Sequence, residues 1–136
     1  MAALRALEGR AIGLWRVETA RLVQVAFEAP PIDPDVARRF AEATRSLGLD
    51  RLNLGIVKAA TVGQVAVSVV AELNPDSGSG YWLRAFDAER SVAVPLEGAD
   101  GRVGWVFSIA LGMSPDAAEV ARVLKSVAAP HLAALA

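Results

Sequence analysis

The stretch Ser91–Leu111, SVAVPLEGADGRVGWVFSIAL, decides the fold. Its two β-branched runs are joined by Glu97-Gly98-Ala99-Asp100-Gly101, the composition of a β-hairpin, and the strands are predicted at Arg90 to Leu96 and Arg102 to Leu111. Ser114-Pro115-Asp116 then opens a helix, with Ser114 as the expected N-cap hydroxyl and Pro115 at the first helical position.

Working outward toward the N-terminus, residues 2 to 8 predict a short helix with Leu4 and Leu7 on one side. Ala11 to Glu18 and Arg21 to Glu28 are two apolar, β-branched runs joined by Thr19-Ala20, an antiparallel pair, and Pro30-Pro31 stops the sheet because neither proline donates to a ladder. Asp33-Pro34-Asp35 is a helix start. Val36, Phe40, Ala43 and Leu47 follow at helical spacing, with Gly48 as the expected stop. Gly55 to Ala60 predicts one or two helical turns, Val62-Gly63-Gln64 a turn, and Val65 to Glu72 a third strand. Asn74 to Gly80, NPDSGSG, is the one plainly flexible segment and is expected to be a lid. Tyr81 to Ala88 predicts a short aromatic helix. There is no internal repeat or long linker, so the chain is expected to be one domain over 1–136. Its order of elements is α+β, not alternating parallel α/β.

At 136 residues and 54% hydrophobic the chain has the material for a substantial core. Fourteen basic against fifteen acidic side chains leave a net charge of −1, which recruits neither nucleic acid nor an anionic membrane. There is no cysteine and a single histidine, which removes disulfides, thiolate nucleophiles and the usual zinc sets. No metal or cofactor is expected. MAALRALEGR lacks the apolar core of a signal peptide, and no apolar run reaches membrane-spanning length. A soluble cytoplasmic protein is the expectation.

Laid over the whole chain, these elements resemble a GAF domain. The matching stretches are GRAIGLWRVE and RLVQVAFE, LGIVKAATVGQVAVS, YWLRAF before SVAVPL, and DGRVGWVFSIAL. The resemblance implies a central antiparallel sheet of five to six strands flanked by helices on both faces, as in the neighbouring PAS folds. It also implies a ligand site between the sheet and the face of short helices and loops, and a homodimer. Asn53, Lys58 and Phe86-Asp87-Ala88-Glu89 do not reproduce the family's cyclic-nucleotide pattern. Bilin attachment and free methionine sulfoxide reduction, as the family performs them, use cysteines that this chain lacks.

Tyr81, Trp82, Arg84, Phe86 and Arg90 form the densest cluster of aromatic and cationic side chains. Two uses are open to it: a stacking and guanidinium surface for a planar or anionic ligand, or a buried Trp82/Phe86 stripe with solvated arginines. Trp105, with Phe107 on its face of the last strand, and Trp15 with Val17 are likewise either core or pocket wall. His131 lies at helical spacing with Val120, Leu124 and Val127, either packed or a pH-sensitive contact. Ser68, Ser91 and Ser108 sit in no nucleophile elbow, and no P-loop is present. No catalytic constellation emerges, and the protein is expected not to be an enzyme. The ligand-binding candidates are therefore Tyr81, Trp82, Arg84, Phe86, Arg90 and Trp105. The GAF resemblance implies either a small-molecule sensor acting on a signalling partner in trans, with these residues as its site, or a ligand-free interaction or dimerisation module of the same fold.

Overall fold

In a computed structural model the chain is described over residues 2–135, with side chains over 3–129. The elements are α1 (Ala2–Ala6), β1 (Ala11–Val17), β2 (Arg21–Glu28), α2 (Pro34–Ala43), β3 (Ser46–Gly48), α3 (Gly55–Val62), β4 (Ala66–Val69), α4 (Gly78–Ala85), β5 (Arg90–Glu97), β6 (Val103–Leu111) and α5 (Ala117–Leu135). One six-stranded sheet runs in the order β3-β2-β1-β6-β5-β4, and every neighbouring pair is antiparallel. The sheet carries helices on both faces, as expected. α1 and α5 cover one, and α2, α3 and α4 lie over the other.

The two faces are built from different residue sizes. Toward α5, the cross-strand rows read Ile12–Ile109–Val92–Val67 and Leu14–Phe107–Val94. Toward α3 and α4 they read Ala11–Ala110–Ser91–Ser68 and Gly13–Ser108–Ala93–Ala66. The period-two alternation of β1, β5 and β6 therefore separates large from small, not apolar from polar. The large rows form a core with Leu4, Leu7, Val120 and Leu124, and burial of such side chains is worth about 1.5–3 kcal/mol each.

Part of the small face is explained by close packing. Trp15 falls on this face by simple alternation with Ala11 and Gly13, and its indole lies against Gly13, where any Cβ would collide with the ring. α3 comes down on the sheet through Gly55, whose Cβ position lies 2.9 Å from Ser68 Oγ. α3 ends at Gly63, φ 77°, a left-handed C-cap that only glycine adopts without strain.

Several expected boundaries move. α2 starts as predicted, with the Val36 amide donating to Asp33 Oδ1 at 3.2 Å, but it ends at Ala43 and not at Gly48. Thr44 closes it through its amide and hydroxyl to the Phe40 carbonyl, at 2.9 and 2.8 Å. Leu47 and Gly48 instead belong to an edge strand paired with β2. The expected lid is shorter, because Gly78 to Gly80 already form the first turn of α4. The α5 cap is Asp116, whose Oδ1 accepts the Glu119 amide at 2.9 Å, and not Ser114. α5 continues through Pro130. His131 lies outside the residues whose side chains are described. Among the described residues no helix is long and apolar enough to cross a membrane.

Candidate functional site

A cavity of about 50 Å³ lies over the small face, beneath α3 and α4. Its floor is Ala11, Gly13, Ser91, Ser108 and Ala110, and its sides are Leu54, Gly55, Ile56, Ser79 and Leu83. Five rings close it: Trp15, Phe27, Phe40, Trp82 and Phe86. Among the described residues no charged side chain lines it.

Phe40, from α2, is the hub of the rings. Its centroid lies 6.3 Å from Trp15, 5.4 Å from Phe27, 5.1 Å from Trp82 and 5.4 Å from Phe86. The contacts to Trp15, Trp82 and Phe86 are edge-on, the geometry that the ring quadrupole favours. The Trp15 indole N–H donates to the Thr44 carbonyl at 2.8 Å, which satisfies it with backbone and ties β1 to the end of α2. Gln24 Nε2 donates to Ala41 O and Thr44 Oγ1, at 3.2 and 3.1 Å, and anchors the same end.

The cavity's polar character comes from hydroxyls. Leu54 stands at the N-cap of α3 and offers no oxygen, so the Gly55 amide donates to Ser79 Oγ of α4 at 3.0 Å. Ser91 and Ser108 are half-buried and face the cavity from the sheet. Among the described residues they make no hydrogen bond within the chain, and as no buried side-chain polar atom lacks a partner, both hydroxyls are open to solvent.

The residues singled out from sequence divide among three places. Trp82 and Phe86 are at the cavity wall. Tyr81, 37% exposed, lies outside it on the rim, where its hydroxyl accepts from Arg39 Nη1 at 3.1 Å, and Arg84 is exposed. Arg90 and Trp105 are on the opposite face. Arg90 is 3% exposed, and its guanidinium donates to the Gly112 carbonyl at 2.7 Å and to the Pro115 carbonyl, pinning the segment before α5. Burial pushes its pKa down, with Asp116 and Glu89 pulling the other way. Trp105 packs against the α5-side core. Of the two uses open to the cluster, the arrangement has Trp82 and Phe86 packed on Phe40 without Arg84 or Arg90 beside them, because Arg90 opens a strand whose even-numbered residues face α5. Sequence reasoning missed Phe27, Phe40, Ser79, Ser91 and Ser108 as cavity residues. The signal for the floor was present in the alternation Ala11/Ile12/Gly13/Leu14, Ser91/Val92/Ala93/Val94 and Phe107/Ser108/Ile109/Ala110.

An antiparallel sheet with helices on both faces, and a small cavity under the short helices of one of them, defines an α+β domain. Solved structures give it a more particular frame. The type II free methionine-R-sulfoxide reductase of Thermoplasma acidophilum superposes with a TM-score of 0.62 at 17% identity, over 93% of this chain and 82% of that one. A GAF domain/HD domain protein from Geobacter sulfurreducens gives 0.62 at 12% identity, over 93% and 82%. The GAF domain of an Acinetobacter phosphoenolpyruvate-protein phosphotransferase gives 0.58 at 12%, over 91% and 68%. No protein-family model and no curated protein matches the sequence. The chain has a GAF-like fold.

The expectation that the protein is not an enzyme is corrected by the same comparison. Structures described as free methionine-R-sulfoxide reductases, from Thermoplasma acidophilum, Neisseria meningitidis and Staphylococcus aureus, share this scaffold. The absence of a recognisable catalytic motif therefore does not exclude chemistry on this fold. The 136 residues contain no cysteine, so a thiolate step has no group to use among them.

Proposed function

We propose that this domain binds a small, uncharged, planar molecule in the cavity beneath α4 and reports its presence to a partner protein in trans. The observation that carries the reading is the pair of unpartnered hydroxyls, Ser91 and Ser108, on the floor of an aromatic box. Both hydroxyls are half-buried and open to solvent, since no buried side-chain polar atom among the described residues lacks a partner, so each is free to exchange a water for a ligand's polar group, which alanine could not do. A ligand with an aromatic ring and one hydrogen-bonding group meets both halves of the site. Charged ligands are disfavoured, since no charged side chain among the described residues lines the cavity. The ligand must also displace side chains, because the 50 Å³ cavity is far below the roughly 300 Å³ of the smallest ordinary ligand sites.

The ring packing around Phe40 favours a second reading, in which the space is closed core and the fold serves as a module for homodimerisation or docking. Native mass spectrometry of the purified protein, followed by denaturing extraction, separates the two. The expected result is a reproducible extra mass that is lost in a Ser91→Ala/Ser108→Ala variant of unchanged fold. A bare protein, with no thermal shift on adding small aromatic alcohols, overturns the binding reading in favour of the module. Incubating the extracted molecule with fresh protein distinguishes sensing, which returns it unchanged, from turnover, which does not.

A further inference from the structure

We infer that Phe40 is a resident plug standing where the ligand's own ring belongs, and that occupation of the site by an uncharged aromatic molecule lifts α2. The inference rests on the binding reading above and adds the regulation of that site. Phe40 touches the four other rings of the box and comes from a helix whose residues are mostly exposed or half-buried. Val36 is the only buried residue of α2. The polar anchors of the helix are at its C-terminal end, on Ala41 and Thr44, apart from the exposed Arg39–Tyr81 tether across the rim. The approach to α2 is loose. Ile32 is 72% exposed, and a groove of about 160 Å³ lies under Pro30, Ile32 and Asp33. Phe86 lines both that groove and the cavity. α2 is therefore held by hydrogen bonds at its Thr44 end and by Val36 alone near Asp33, and Phe86 is the wall between the groove beneath its start and the cavity with the serine floor.

A ring that replaces Phe40 recovers its edge-on contacts and adds a hydrogen bond to Ser91 or Ser108 that phenylalanine cannot make. That difference gives the ligand higher affinity for the open arrangement, which a population shift requires. It also sets the chemical class: a monocyclic or small bicyclic aromatic carrying a hydroxyl or N–H.

Phenol and indole serve as probes on the full chain, with binding measured by calorimetry and α2 followed by hydrogen exchange over residues 34–43. Expected are weak binding to the wild type with loss of α2 protection, and at least tenfold tighter binding to Phe40→Ala. If Phe40→Ala fails to fold, Tyr81→Phe removes the rim tether without touching the box and is expected to raise basal exchange in α2 and tighten phenol binding. Equal affinity for wild type and the folded variant, or binding to the wild type with α2 protection unchanged, overturns the plug while the pocket stands. No binding of either probe to any of the proteins overturns both.

Discussion

At the scale of single residues, the two arginines nearest the aromatic cluster in sequence have opposite roles. Arg90 is a buried donor to two carbonyls of the segment before α5, and Arg84 is exposed with no ion pair among the described residues. Arg90→Met keeps the stem's packing but leaves those carbonyls without their charged donor, and is expected to cost about 2 kcal/mol in urea unfolding. Arg84→Ala is expected to stay within about 0.5 kcal/mol of wild type. Neither change is expected to alter phenol binding, since neither residue lines the cavity. Adjacency in the sequence was misleading here for a geometric reason. Five residues separate Arg84 from Arg90, and the chain changes from helix to strand between them, so the side chains leave by different faces.

At the scale of elements, strands and helix starts were more legible than helix ends. The hairpin of β1 and β2 and its Thr19-Ala20 link stand as expected, closed by the Glu18 amide donating to the Arg21 carbonyl at 2.8 Å. The edge strand β3 was hidden because Leu47 continued the helical spacing of α2, while the actual stop depends on Thr44 folding back on its own helix and on Trp15, 29 residues away. Such tertiary hooks leave no local pattern to read. Helix α5 offers a pH test of its first turn. The Glu119 carboxyl is held below its ordinary value of 4.5, chiefly by its hydrogen bond with Arg122. A lowered folded-state pKa contributes stability above the unfolded value, and this is lost as pH falls through the folded value. Glu119→Gln should therefore lower Tm slightly at neutral pH, and the gap from wild type should close in acid. The pair is exposed, so salt should shrink the gap as well.

At the scale of the whole molecule, the sheet separates stability from recognition by face. Ile109 and Ser108 are consecutive residues of β6, yet one is fully buried toward α5 and the other floors the cavity. Ile109→Ala is expected to cost about 2–5 kcal/mol in chemical denaturation. Ser108→Ala should leave stability near wild type and change ligand binding alone. Equal losses at the two positions would contradict the division. Chain order within that sheet has a separate consequence. β6, the last strand of the sheet in chain order, lies between β5 and β1, so Ala11 pairs with Ala110. On the ribosome the β1–β2 hairpin must wait with one hydrogen-bonding edge open until Val103 to Leu111 emerge. Closure is then a long-range event of the kind that folds slowly and leaves nascent strands exposed to one another, so the sheet's completion waits on its sixth strand.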